Sequence, residues 1–109
     1  MGFTAQVLRR HPGIRIRLEG HVNSKCGLEC DGDADCPNSR CNSLFRGRGG
    51  AVGFSLNRAE SVAEALMARG VEACRVTCQG LGGSRHVFDT EGPDKHRNRR
   101  VEIHTIAWY

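Results

Sequence analysis

The sequence predicts an α+β domain in which helices lie on one face of a small mixed sheet. Two segments, residues 14–19 and 100–106, alternate apolar and polar side chains with a period of two, as half-buried strands do. Between them, residues 55–70 carry apolar side chains at helical spacing. A chain of 109 residues can bury one core but not two, so we expect a single domain over residues 1–109.

The N-terminal part predicts a helix followed by the first strand. Residues 3–10 have helical character, which the Pro12-Gly13 pair interrupts. The strand at 14–19 places its apolar side chains on one face, and Gly20 is expected to end it. The residues just after this strand occupy a position where ligand-binding groups often gather.

The helix at 55–70 is the clearest element. Its apolar stripe consists of Ala59, Val62, Ala63 and Leu66. Ser55 is expected to be the N-cap, and Gly70 suits the left-handed residue that ends a helix. Arg58 then falls in the first turn, where the helix dipole disfavours a cation by about 0.3–1 kcal/mol. We interpret this unfavourable placement as a sign that Arg58 binds an anion.

Two more strands are predicted after the helix. In residues 74–79, Val76 and Cys78 share a face, so Cys78 is expected to be a small core residue. A polar loop at 84–97 leads to the third strand at 100–106, which is expected to pair antiparallel with the second.

Residues 24–53 show no periodicity and are interpreted as a Cys- and Gly-rich insertion. Four of the six cysteines lie there: Cys26, Cys30, Cys36 and Cys41. Their even number favours two local disulfides in an oxidising compartment. A zinc site made of these thiolates is a weaker alternative, because no C-x-x-C pair is present, and free thiols remain open. Residues 31–35 resemble the start of a calcium loop but lack its glycine and its final glutamate, so a solvated turn is favoured.

Composition restricts the class of partner. The net charge of +4 and the aromatic content of 6% suit an anionic ligand better than nucleic acid. No apolar run reaches the roughly 18 residues that a membrane span needs. No signal peptide is recognisable, so the sequence is interpreted as a fragment whose targeting signal has been removed. With 6 Cys and 5 His, chance Cys-His pairs are expected, and no motif orients one, so an enzyme is not expected.

Four stretches resemble, in the same order, the OmpA-like domains of outer membrane proteins, the peptidoglycan-associated lipoprotein and the flagellar motor protein MotB. They are IRIRLEGHVN, FSLNRAESVAEAL, GVEACRVTCQGLG and NRRVEI at 98–103. The resemblance implies a two-layer sandwich with the order β-α-β-α-β-β. Its first strand is missing here, so either the sequence begins late or another segment or chain supplies it. An unpaired sheet edge would be a route to a homodimer.

The resemblance also implies a ligand, the diaminopimelate unit of the peptidoglycan stem peptide. In the family, an aspartate closing G-H-T-D binds its ammonium, and the arginine of L-S-x-x-R-A binds its carboxylate with a bidentate fork. The arginine matches Arg58, and the aspartate position is occupied by Asn23. Asn98 and Arg99 are expected to support this site from the start of the last strand.

Departures from the family motifs leave two hypotheses. A neutral Asn23 forfeits much of a bond worth about 1.5–3 kcal/mol, or roughly 10- to 150-fold in affinity. Ala51 and Phe54 also replace family residues near the motif. The first hypothesis is a non-catalytic module that anchors to peptidoglycan, in the periplasm or another oxidising envelope compartment. The alternative is a divergent scaffold that has lost this binding and contacts a protein partner through its cysteine-rich insertion.

Overall fold

The computed structural model describes residues 2–22, 50–85, 87 and 92–108. In this part of the chain, two α-helices pack on one face of a three-stranded sheet. The elements are, in chain order, α1 (Gly2–Arg10), β1 (Ile14–His21), α2 (Gly50–Ala68), β2 (Val76–Gly80) and β3 (Arg100–Trp108). Short 3-10 helices at Ala73–Arg75 and Lys95–Asn98 precede β2 and β3. The α+β class predicted from the sequence is confirmed.

β1 is the central strand of the sheet. It pairs in parallel with β2, where Gly20 lies opposite Gly80, and antiparallel with β3, where Glu19 lies opposite Glu102. The prediction that β3 pairs with β2 is therefore wrong. The connection through residues 81–99 is too long for a tight hairpin and carries the chain to the free side of β1 instead. Among the described residues, no strand precedes α1.

The core lies between the helices and one face of the sheet. Leu18 of β1 and Leu66 of α2 are both 0% exposed. Around them pack the other buried apolar residues: Ala5, Leu8, Ile14, Ile16, Ala59, Ala63 and Val71. The alternation of β1 and the helical stripe of α2, both predicted from the sequence, are confirmed.

Helix α2 begins at Gly50, five residues before the predicted start. Residues 50–53 therefore belong to the helix and not to the insertion. Ser55 is not an N-cap, because it lies inside the helix, where its hydroxyl donates to the carbonyl oxygen of Val52 at 2.8 Å. Glycine is a poor helix former, but this first turn packs directly against the sheet, and tertiary contact outweighs propensity. The C-terminal end is as expected, with Gly70 at a φ of +91° just beyond the last turn.

Gly20 and Gly80 let α2 touch the sheet backbone. A Cβ atom at Gly20 would lie 1.8 Å from the carbonyl oxygen of Ser55, and one at Gly80 would lie 2.3 Å from that of Val52. Gly20 does not end β1 as predicted, since the strand continues through His21. The glycine is needed for this close approach, not for termination.

Arg75 anchors the C-terminal end of α1, a role that sequence reasoning missed. Its buried guanidinium donates to the carbonyl oxygens of Leu8 at 2.6 Å, His11 at 2.8 Å and Ile14 at 3.1 Å. A fourth bond, at 3.1 Å, reaches the Glu72 carboxylate. The predicted strand over 74–79 begins later because the 3-10 helix at Ala73–Arg75 aims this side chain inward.

The two cysteines outside the insertion are free thiols. Cys78 is partly buried against the core, as predicted, and Cys74 is exposed. Burial, together with the charge of Glu60, raises the pKa of the Cys78 thiol. The other four cysteines lie outside the described residues, so their disulfides stay a prediction. Within the described part of the chain, no helix has both the length and the apolar composition to cross a bilayer.

Candidate functional site

Arg58 lies in the third turn of α2, so the prediction that it lies in the first turn is wrong. It follows Gly50 by eight residues, about 12 Å along the helix axis, so the helix N-terminus and its guanidinium do not converge on one anion. The side chain is half-buried, and its guanidinium lies 5.6 Å from the centroid of the Phe54 ring. Because Phe54 lies one turn earlier in α2, the Arg58 side chain reaches back toward the N-terminus of the helix.

The end of the sheet where β1 finishes is held together by Ser55. Its hydroxyl oxygen accepts a hydrogen bond from the backbone N–H of Gly82 at 2.9 Å. Gly82 in turn accepts at its carbonyl oxygen from the N–H of Val22 at 3.0 Å, directly before Asn23. Helix α2, the exit of β1 and the loop after β2 therefore meet at one point. No carboxylate of the described residues lies within ion-pair distance of Arg58 there.

The other predicted ligand residues differ in exposure. Asn98 is 0% exposed, and its amide oxygen accepts a bond from the backbone N–H of Val87 at 3.0 Å. It fixes the connection between β2 and β3 and leaves no surface for a ligand. Arg99 is exposed beside it. Asn23 lies outside the described residues, so its contact with a ligand stays a prediction.

The sheet face opposite the helices carries a polar cluster that sequence reasoning missed. It consists of Glu19 and His21 on β1 and Glu102 and His104 on β3. We call these four side chains the Glu-His cluster. Residues two apart on a strand share a face, and Glu19 lies opposite Glu102, so the two E-x-H segments converge. Alternation alone marked this face as solvated, but Glu19 and His21 are each 1% exposed.

His104 lies at the centre of the Glu-His cluster. Its Nε2 is 3.0 Å from Oε1 of Glu102 and 3.2 Å from Oε1 of Glu19. The Nε2 of His21 is 3.8 Å from Glu19 Oε1 and 3.9 Å from Glu102 Oε2. Three buried atoms have no hydrogen-bond partner among the described residues: both ring nitrogens of His21 and the Oε1 atom of Glu19.

Arginines surround the carboxylates of this cluster from outside. Arg17 donates to Oε2 of Glu19 at 2.8 Å, and Arg100 donates to Oε2 of Glu102. Arg85, whose side chain is 64% exposed, approaches Glu19 Oε1 only to 3.7 Å. Oε1 of Glu19 therefore faces both histidines, whereas Glu102 faces His104 with Oε1 and His21 with Oε2.

The electrostatics of the cluster keep His21 neutral. Burial and then the charge of Arg100 lower the pKa of His21, and these effects outweigh the opposite influence of Glu102 and Glu19. Burial raises the pKa of Glu102, but hydrogen bonds from Arg100 and His104 outweigh it, so the pKa of Glu102 is lowered overall. The neutral form of His21 is thus favoured beside the carboxylate of Glu102, whose pKa is lowered.

Comparison with known proteins finds a matching family profile and a curated relative. A family profile described as the OmpA family matches residues 1–100. Probable lipoprotein YiaD of Escherichia coli (strain K12) is 30% identical over 100 residues, which cover 91% of this chain and 36% of that protein. The chain therefore spans about a third of the length of this curated relative.

Solved structures show the same fold at low identity. The periplasmic domain of Helicobacter pylori MotB (residues 78–256) superposes with a TM-score of 0.69 at 18% identity, over 97% of this chain and 58% of that one. The peptidoglycan-associated lipoprotein from Burkholderia pseudomallei gives a TM-score of 0.62 at 19% identity, over 96% of this chain and 71% of that one. The predicted architecture, helices on one face of a small mixed sheet, is thereby confirmed.

Proposed function

This chain belongs to the OmpA family, and on that basis we propose that it is a non-catalytic module that anchors to peptidoglycan through the diaminopimelate stem peptide. One solved structure of the same fold is a peptidoglycan-associated lipoprotein, and another is a periplasmic domain. The cell envelope of a bacterium is the corresponding location for this chain. The matched proteins are named as lipoproteins and as MotB, which supports a function in binding rather than in catalysis.

The observation that carries this proposal is the position of Arg58. Its guanidinium lies over Phe54, and the neighbouring Ser55 is linked through Gly82 to Val22, which Asn23 follows in the sequence. No carboxylate of the described residues neutralises it. A planar guanidinium with open donors binds a carboxylate with two parallel hydrogen bonds, which is what the carboxylate of diaminopimelate requires.

Asn23 is proposed to hold the ammonium group of the same ligand. Its carbonyl oxygen can accept from an ammonium, but it lacks the charge of the family aspartate. Arg99 and the buried Asn98 support the site by shaping the segment before β3.

Co-sedimentation with purified peptidoglycan sacculi tests the proposal. Arg58→Ala should weaken retention at least about tenfold, because a charge-assisted hydrogen bond is lost. Arg69→Ala, an exposed arginine just beyond the end of the same helix, should bind like the wild type. Asn23→Asp should tighten binding by roughly 10- to 150-fold, because it restores the charged acceptor.

Two outcomes would contradict this function. Equal retention of wild type and Arg58→Ala would remove Arg58 from the site. Absence of retention in the wild type and in Asn23→Asp would favour the alternative, a divergent scaffold that contacts a protein through the insertion at 24–49. A zinc assay and a thiol titration would then distinguish disulfides from a metal site at Cys26, Cys30, Cys36 and Cys41.

A further inference from the structure

The Glu-His cluster has no part in the proposed peptidoglycan site, and its geometry has a separate explanation. It lies on the sheet face opposite α2, whereas Arg58 lies on α2 itself. We propose that Glu19, His21, Glu102 and His104 form a binding site for a divalent transition-metal ion, with zinc as the best fit.

The ligand atoms have the spacing that a small metal ion needs. Zinc binds nitrogen and carboxylate oxygen at about 2.0–2.2 Å, so adjacent ligands of a tetrahedral site lie about 3.4 Å apart. The Nε2 atom of His104 lies 3.2 Å from Glu19 Oε1 and 3.0 Å from Glu102 Oε1. One oxygen or nitrogen from each of these three residues falls within 4.8 Å of the others.

His21 supplies the independent indication of a ligand. It is 1% exposed, and among the described residues neither ring nitrogen forms a hydrogen bond. A buried polar group without a partner destabilises the fold, so such groups are uncommon and call for an explanation. Its Nε2 lies 3.8 Å from Oε1 of Glu19 and 3.9 Å from Oε2 of Glu102. We therefore take His21 as the fourth ligand, beside the three residues whose ligand atoms already lie together.

The arrangement of charge fits the same conclusion. Glu19 and Glu102 lie directly opposite each other on paired strands, where like charges destabilise a sheet. Arg17 and Arg100 bind the outer oxygens and so orient the carboxylates, as outer-shell partners of metal sites do. Oε1 of Glu102 faces His104, and Oε1 of Glu19 lies 3.2 Å from His104 and 3.7 Å from the exposed Arg85. Two imidazoles and two carboxylates favour zinc over magnesium or calcium, which prefer oxygen ligands alone.

Titration of the full chain with Co²⁺, followed by competition with Zn²⁺, tests this site. We expect one equivalent of cobalt with the absorption of nitrogen and oxygen ligands and no sulfur-to-cobalt charge-transfer band. His104→Ala and Glu102→Gln should each weaken this binding at least about tenfold. Their side chains are 39% and 35% exposed, so both variants should fold. His96→Ala, an exposed histidine outside the cluster, is the matched control.

The cysteines of the insertion require a separate arm. Replacing Cys26, Cys30, Cys36 and Cys41 with serine should leave the cobalt spectrum of the Glu-His cluster unchanged. Cobalt binding that disappears in this variant, or that persists unchanged in both His104→Ala and Glu102→Gln, would overturn the proposal. So would the lack of any cobalt spectrum in a folded wild-type chain.

Discussion

The two faces of the sheet are built from the same strands but are stabilised in different ways. Leu18 and Glu19 are neighbours in β1, with 0% and 1% exposure respectively. Leu18 points into an apolar core under α2, whereas Glu19 points into a network of arginines and histidines. Burial is therefore equally complete at these two positions. The two side chains differ in what stabilises them: close apolar packing for Leu18 and charge compensation for Glu19.

Substitutions on the two faces should therefore change stability to different extents. On the core face, backbone atoms of α2 approach the sheet so closely that one extra methyl group has no room. On the opposite face, each charge has several partners, and part of each network is open to solvent. We therefore expect stability to depend strongly on the core face and weakly on the polar face.

The largest effect should come from Gly20→Ala, on the core face. Its Cβ would lie 1.8 Å from the carbonyl oxygen of Ser55, so α2 would have to move away from the sheet. We expect a loss of at least about 3 kcal/mol in the free energy of unfolding, measured by urea denaturation and circular dichroism. Gly2→Ala is the control, because its Cβ would meet only Arg69 Nε at 4.0 Å. Equal stability of the two variants would refute the close-approach account.

An intermediate effect is expected for Ser55→Ala. The substitution removes the acceptor of the buried Gly82 N–H, which costs about 1–3 kcal/mol. Ser61→Ala, on an exposed part of the same helix, removes only a bond to the carbonyl oxygen of Asn57 and should cost about 0.5 kcal/mol or less. Equal losses of unfolding free energy for the two variants would show that the bond between Ser55 and Gly82 stabilises the fold no more than the exposed Ser61 bond does.

The smallest effect should come from Glu102→Gln, on the polar face, measured in the presence of a chelator. Its ion pair with Arg100 is partly exposed, and its loss is offset because repulsion with Glu19 is relieved. We expect a change below about 1 kcal/mol in the free energy of unfolding. A loss above about 2 kcal/mol without metal would show that the polar face stabilises the fold in the same measure as the core.

Much of the fold could be predicted from residue patterns. Local patterns predict the alternation of β1 and β3, the apolar stripe of α2 and the glycine that ends this helix. Each of these features depends on neighbours a few residues away. The start of α2 could not be predicted from such patterns, because its glycine-containing first turn depends on contacts with Gly80. The pairing of β3 was wrong for a similar reason, because a long connection does not specify which side of β1 it reaches.

The candidate sites divide in the same way. Arg58 was found through a motif, but its place in the third turn and its contact with Phe54 required the structure. The Glu-His cluster was missed, although two E-x-H segments on predicted strands were a readable signal. Only the antiparallel register, which places Glu19 opposite Glu102, brings the two segments together.

The sequence by itself determined the class of fold, the family and the residue that is the best candidate to hold an anion. These follow from local periodicity and from short motifs, whose physical meaning needs no distant contact. The tertiary structure decided strand order, the true extent of α2 and the burial of charged side chains at Glu19 and Arg75. Each of these features depends on which distant segments pack together. Charged side chains such as those of Glu19 and Arg75 are buried where this packing supplies their partners.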